Sequence, residues 1–112
     1  MLTKKIARLI AHAAEEIQAI DLIVLNLKKL TSFTDYFIIC SGRSERQVQS
    51  IADAVEEVMR KNKLKVLGLE GYEIGQWVLV DCGDVVVHIF HQDIREYYSL
   101  EKLWSDAPRV EV

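Results

Sequence analysis

Apolar and polar residues follow one another along this chain in two rhythms, and the changes of rhythm divide it into elements. Leu2, Ile6, Leu9, Ile10, Ala13 and Ile17 recur every three to four residues. That spacing predicts an amphipathic helix over 3–19, with Thr3 as its N-cap. DLIVLNL at 21–27 is short, rich in branched side chains and closed by Lys28-Lys29, the pattern of a buried strand. TDYFIIC at 34–40 predicts a second strand, ended by a turn at Ser41-Gly42. SERQ at 44–47 has the form of a capping box, in which Ser44 accepts from the amide three residues on and Gln47 reaches back. Val48, Ile51, Ala52, Val55 and Met59 then keep helical spacing. Arg60, Lys61 and Lys63 gather where a helix dipole favours cations, which predicts a second helix over 44–62.

LKVLGL at 64–69 predicts a third strand, and EGYEIG a glycine-bounded loop. QWVLVDCGDVVVHIF reads as a hairpin folded around Cys82-Gly83. A two-residue turn there sets Asp81 opposite Asp84, Leu79 opposite Val86 and Trp77 opposite His88. One face then carries Trp77, Leu79, Asp81, Asp84, Val86, His88 and Phe90. A three-residue loop would set Trp77 opposite Ile89 instead. A short helical exit follows near 93–104. The order α-β-β-α-β-β-β implies a mixed α/β layer with helices packed on a sheet. No repeat or linker interrupts it, so residues 1–112 read as a single domain.

Composition narrows the class. Half the residues are apolar and there is one proline, so a packed core is expected. Cys40 and Cys82 lie in apolar runs without zinc-ligand spacing and read as reduced thiols. No apolar run approaches the roughly 18 residues of a membrane span, and the N-terminus mixes charge with apolar residues. A soluble, cytoplasmic protein is expected. The net charge of −3 is unevenly spread: residues 1–65 hold eleven Lys and Arg against eight Asp and Glu, and residues 66–112 hold three against nine. The acidic C-terminal part would repel phosphate backbones and attract a basic protein surface.

Three kinds of site compete for the C-terminal residues. A metal site would recruit His88, His91 and Asp93, but His88 and His91 point to opposite faces of a strand. Catalysis would use Ser41-Gly42-Arg43-Ser44 between a strand and a helix, a glycine-serine turn that resembles the phosphate-holding turn of nucleotidyltransferase-like folds. Such enzymes also need carboxylates projecting together to hold magnesium. Asp81 and Asp84 are the only nearby pair, and they flank a turn, where aspartates commonly serve the backbone. Binding of a macromolecule uses the residues better. Trp77, His88 and Phe90 on one hairpin face, with Tyr97, Tyr98, Leu100, Leu103 and Trp104 after it, set aromatic anchors among Asp81, Asp84, Glu96 and Glu101. Leu100, Leu103 and Tyr97 suit a core equally well. Two helices on one face of the sheet would leave the other face open for a partner.

TDYFIICSGRSERQV (34–48), EGYEIGQWVLVDCGDVVVH (70–88) and REYYSLEKLW (95–104) resemble the signature blocks of the ribosomal silencing factors, the RsfS or Iojap family. The resemblance runs from about Met1 to Val110, with the blocks in order and at the family's spacing. It implies a nucleotidyltransferase-like fold with a mixed five-stranded sheet, no catalytic activity and no cofactor or metal. It also implies binding to the large ribosomal subunit through its fourteenth protein, at the face that meets the small subunit, so that subunit joining is blocked and translation repressed. The family's W-x-x-x-D run falls on Trp77 and Asp81, its G-D-V-x-V-H run on Gly83 to His88, and its Y-x-L-E-x-L-W run on Tyr98, Leu100, Glu101, Leu103 and Trp104. Asn26 stands where many members carry aspartate, and His91 lies outside the pattern.

The expected partner-binding residues are therefore Trp77, Leu79, Asp81, Val86, His88, Phe90, Tyr98, Leu100, Glu101, Leu103 and Trp104. Neither membrane nor sequence-specific nucleic acid is an expected partner. An open sheet face also implies a weak homodimer. The alternative is a nucleotide-binding or degenerate nucleotidyltransferase-like protein using Ser41 to Ser44.

Overall fold

Runs of branched and aromatic residues form five strands, and amphipathic runs form the helices that flank them. In chain order the elements are helix α1 (Thr3–Glu16), strands β1 (Ile20–Asn26) and β2 (Tyr36–Gly42), helix α2 (Glu45–Lys61) and strands β3 (Gly68–Glu70), β4 (Trp77–Asp81) and β5 (Val85–His91). Two short helices follow, α3 (Gln92–Tyr98) and α4 (Leu100–Leu103). The computed structural model describes residues 2–112, so the expected domain start at Met1 lies outside the described residues. The strands form one sheet in the order β1-β2-β5-β4-β3, with β2 and β5 parallel and the other neighbours antiparallel. This is the mixed five-stranded α+β sheet that the sequence implies.

Alternation along the strands splits the sheet into two faces. Val24, Ile38, Cys40, Val78, Val80, Val85, Val87 and Ile89 pack against α1 and α2. Leu25, Phe37, Ile39 and Phe90 face the other way, where Ile94, Leu100, Trp104 and Ala107 close over them. The second face is thus not left open as expected: α3, α4 and the chain after them form a strap across part of it. Beyond the strap the chain runs along the free edge of β1. There the Asn26 amide donates to the Pro108 carbonyl and the Val110 amide to the Val24 carbonyl, both at 2.8 Å.

Several boundaries move for identifiable reasons. Helix α1 begins after Leu2 without a side-chain cap, so Thr3 is its first residue and not its N-cap. It stops at Glu16 because Gln18 turns into the left-handed region at φ 64°. Its fully buried face is Ala7, Ile10, Ala11 and Ala14, while Ile17 is exposed. Helix α2 has the expected Ser44 cap, with the Gln47 amide donating to Ser44 Oγ at 3.1 Å. Gln47 reaches back one residue further than a capping box requires, to the Arg43 amide at 2.6 Å. Its side-chain amide also donates to the Ile17 and Gln18 carbonyls, joining the end of α1 to the start of α2. The third strand is delayed to Gly68 because Lys63 takes φ 57° and the Leu64 amide still bonds back to Met59.

The hairpin turns one residue later than its sequence suggests. The Cys82 amide donates to the Val85 carbonyl, so Gly83 and Asp84 are the turn residues, and Gly83 takes φ 85°. Trp77 pairs with Phe90, Leu79 with His88 and Asp81 with Val86, which replaces both expected registers. The shift preserves alternation, so Trp77, Leu79, Asp81, Val86, His88 and Phe90 still share one face. Asp84 leaves that set for the turn.

Candidate functional site

The second sheet face is built in rows across the strands. Leu25, Phe37 and Val86 stand in one row, and Ile23, Ile39, His88 and Leu79 in the next. Ser41, Phe90 and Trp77 form a third row. Glu70 continues the Leu79 row on β3, and Gly68 lies beside Asp81. The face therefore grades from aliphatic on β1, through aromatic on β2 and β5, to aromatic and acidic on β4 and β3.

Trp77 is the hub of this surface. Its half-buried ring stacks on Phe90 with centroids 4.9 Å apart and meets Tyr98 of α3 at 4.6 Å. Its Nε1 donates to His88 Nδ1 at 3.2 Å. Phe37 packs edge-on against His88 at 4.6 Å and against Trp104 at 5.7 Å. Offset and edge-on aromatic contacts of this kind add to plain burial by aligning ring edges with ring faces. His88 is only 4 % exposed, and burial lowers its pKa from the ordinary 6.5 to about 4. Because Nδ1 accepts from Trp77, the neutral ring carries its proton on Nε2, a buried nitrogen with no hydrogen-bond partner among the described residues.

The sequence-predicted residues separate into three depths. His88 and Phe90 are buried and support the surface from below instead of lining it. Trp77, Leu79, Asp81, Val86, Leu100, Glu101 and Trp104 are half-buried. Tyr98 and Leu103 are exposed, Leu103 at 79 %. Leu100 and Trp104 spend part of their surface packing on the second core, whereas Leu103 does not. Tyr97, a residue that suits core or surface by sequence, is 82 % exposed and stands edge-on to Tyr98 at 5.2 Å. Phe33 and Phe37 escape the hairpin-centred reading. Phe33 is exposed and Phe37 lies under Trp104, and the alternation of TDYFIIC with its neighbours is the signal that places Phe37 on this face.

The phosphate-turn residues are engaged elsewhere. Ser41 and Gly42 continue strand β2 instead of turning, and a Cβ on Gly42 would come within 2.9 Å of the Val48 amide nitrogen. Ser41 Oγ accepts from Arg95 Nη1 at 3.1 Å, and Ser44 Oγ is the cap of α2. Asp81 Oδ1 accepts from the Gly83 amide at 2.9 Å, and the Asp84 carbonyl accepts from the Asp35 and Tyr36 amides. Asp81 thus serves the turn with its side chain, and Asp84 ties the turn to the start of β2 through its backbone. His91 caps α3 through Nδ1, and among the described residues no three His, Cys, Asp or Glu side chains gather as a metal site.

Arg95 is the functional-site neighbour that sequence reasoning passes over. Its side chain is 11 % exposed and grips the Glu101 carboxylate through Nε at 3.1 Å and Nη2 at 2.8 Å. Burial pushes the Glu101 carboxyl up, but the hydrogen bonds and charge of Arg95 outweigh it and hold the group below the usual carboxylate range. No periodicity marks such a residue, since a lone arginine in a short helix reads as solvent-facing.

Fold and surface together define a small α+β domain with helices on one sheet face and a strapped aromatic surface on the other. The family model for RsfS, described as ribosomal silencing factor during starvation, matches residues 2–112. The chain belongs to this family of ribosomal silencing factors, which are regulatory proteins. It is 46 % identical over 112 residues to the silencing factor RsfS of Halalkalibacterium halodurans, covering 100 % of this chain and 96 % of that protein. Against the Bacillus subtilis RsfS it is 44 % identical, covering 97 % and 92 %. A crystal structure of a Chromobacterium violaceum protein superposes with a TM-score of 0.92 at 41 % identity, covering 94 % of this chain and 88 % of that one.

Proposed function

We propose that this protein represses translation by binding the large ribosomal subunit through its fourteenth protein, at the face that meets the small subunit. Seated there, a domain 32 × 32 × 22 Å across its Cα atoms keeps apart two surfaces that must approach to bonding distance. The observation that carries the reading is the Trp77–Tyr98 pair, 4.6 Å apart, set on the sheet face away from α1 and α2. Half-exposed aromatic rings fixed from below are the side chains that most often dominate protein–protein binding, because they desolvate much area with little entropy to lose.

Charge supports the same partner. Glu70 and Asp81 flank Leu79 and Trp77 on this face, and residues 66–112 hold nine Asp and Glu against three Lys and Arg. An acidic rim speeds and orients encounter with a basic ribosomal protein, and the aromatic centre then holds it. A mouse relative, 32 % identical over 88 residues, is named mitochondrial assembly of ribosomal large subunit protein 1, which connects that protein with the large subunit. The same face supports weak self-association of the free protein, in competition with the ribosome.

Purified large and small subunits, brought to joining magnesium with and without the protein and run on a sucrose gradient, provide the test. The expected result is fewer joined ribosomes, with the protein travelling with the large subunit. Undiminished joining and no cosedimentation would overturn the proposal.

A further inference from the structure

The C-terminal strap carries Tyr97, Tyr98, Leu103 and Trp104, yet neither α3 nor α4 contains a fully buried residue. Its joint, Ser99, ends α3 at φ 48°, a left-handed conformation uncommon for a residue other than glycine. A cleft of about 320 Å³ opens between the strap and the strand ends, lined by Ile20, Ser41, Gln92 and Glu101 among others, so close apolar packing does not fix the strap there. At this cleft a polar side chain bridges these parts, beside the apolar contacts that Ile94, Leu100 and Trp104 make further along the strap. Arg95 of α3 donates to Ser41 Oγ at the end of β2 and to the Ile20 carbonyl at the start of β1, at 3.1 and 3.3 Å. Its remaining donors hold Glu101 of α4.

We propose that Arg95 is a positioning residue for ribosome binding: its guanidinium locks α4 to α3 and both to the sheet, and so presets the aromatic surface that the partner meets. The planar fork can satisfy a carboxylate, a hydroxyl and a carbonyl together, which a lysine ammonium cannot do in one geometry. Loss of the clamp leaves the sheet and its helix-covered core intact and lets the strap wander among arrangements. Only the fraction with the strap in place binds, so apparent affinity falls by that fraction. The inference rests on the aromatic-face reading and adds to it the residue that holds the face in shape.

The test compares Arg95→Ala, Glu101→Gln and Tyr98→Ala in kinetic binding to immobilised large subunits, alongside amide hydrogen exchange. For Arg95→Ala the expected result is an affinity loss of about tenfold, taken mainly from the association rate, with lost protection over 92–104 and a nearly unchanged Tm. Glu101→Gln should shift both readouts in the same sense by less. Tyr98→Ala should instead speed dissociation with strap protection retained. Faster exchange with parental binding, or lost binding with parental exchange, overturns the positioning role. If Arg95→Ala unfolds, Glu101→Gln decides by the same two readouts. If Tyr98→Ala alone loses binding, the face reading stands and the clamp falls; if all three bind like the parent, the face reading falls and takes the clamp with it.

Discussion

The two faces of the sheet are covered in different ways. On one side α1 and α2 lay long amphipathic helices over Val24, Ile38, Val78, Val87 and Ile89, and the result is a continuous aliphatic core. On the other side two short helices and an irregular tail cover a smaller aromatic core around Phe37 and Phe90, and leave rings standing at the margin. Covering by helices maximises burial, which is the dominant favourable contribution to folding. Covering by a strap gives up part of that burial and leaves Trp77 and Tyr98 positioned with area still to lose. The larger share of burial thus lies on the helix side, and the rings that would serve the proposed contact lie on the strap side of the same strands.

The largest expected effect tests whether the strap side is also structural. Phe90→Ala removes the ring beneath Trp77 and should cost about 3–5 kcal/mol of stability, together with large-subunit binding. On the helix side, Ile51→Val should cost only about 1 kcal/mol and leave binding at the parental level. Denaturant midpoints with cosedimentation decide the matter, and a Phe90→Ala protein that binds normally would dissolve the distinction.

Acid should weaken the strap side selectively. The unfolded His88 imidazole takes up its proton near 6.5, whereas the folded one does so only near about 4, so between these values the unfolded state holds more protons. Stability therefore falls as pH drops from 6.5 to about 4, by on the order of 3 kcal/mol, and this contribution levels off below. His88→Leu should flatten that slope in denaturation series across the range. An imidazole that titrates near 6.5 by NMR in the folded protein would refute the buried, neutral ring.

A smaller change separates binding from folding. Trp77→Ala or Tyr98→Ala should weaken large-subunit binding by ~2 kcal/mol or more while the fold persists. Parental cosedimentation of both variants would move the contact elsewhere. Smallest of all is self-association, which light scattering over a concentration series should register as a gradual rise in mass. A concentration-independent monomer mass would show that the margin of rings is too narrow to pair with itself.

Much of this division is legible in the sequence, and its failures have physical causes. Val48, Ile51, Val55 and Met59 announce α2, because large apolar residues at helical spacing admit one reading. The buried face of α1 is harder, since Ala7, Ala11 and Ala14 are small enough to suit either side of a helix. Alternation places Trp77 and His88 on one face even though the turn lies one residue from where Cys82-Gly83 suggests. What alternation cannot convey is depth. His88 and Phe90 share a face with Trp77, but the strap that buries them comes from residues after the hairpin, through contacts no local pattern encodes. The same limit hides Arg95, whose partners at Ile20 and Ser41 lie far away along the chain.

The parallel pairing of β2 with β5 has a consequence for how the chain comes into being. Tyr36 meets Val85 and Gly42 meets His91, so the middle of the sheet is closed by a segment synthesised well after β2. Until β5 arrives, β1 and β2 form a hairpin without a neighbour on its inner edge, and the strap has nothing to lie on. Such a long-range closure makes folding slower than a local meander would be, and makes it cooperative. A chain cut short by premature termination or proteolysis before β5 therefore offers no fraction of the aromatic surface. A domain closed in this way forms whole or not at all, because a fragment ending before β5 lacks the pairing on which the sheet and its strap depend.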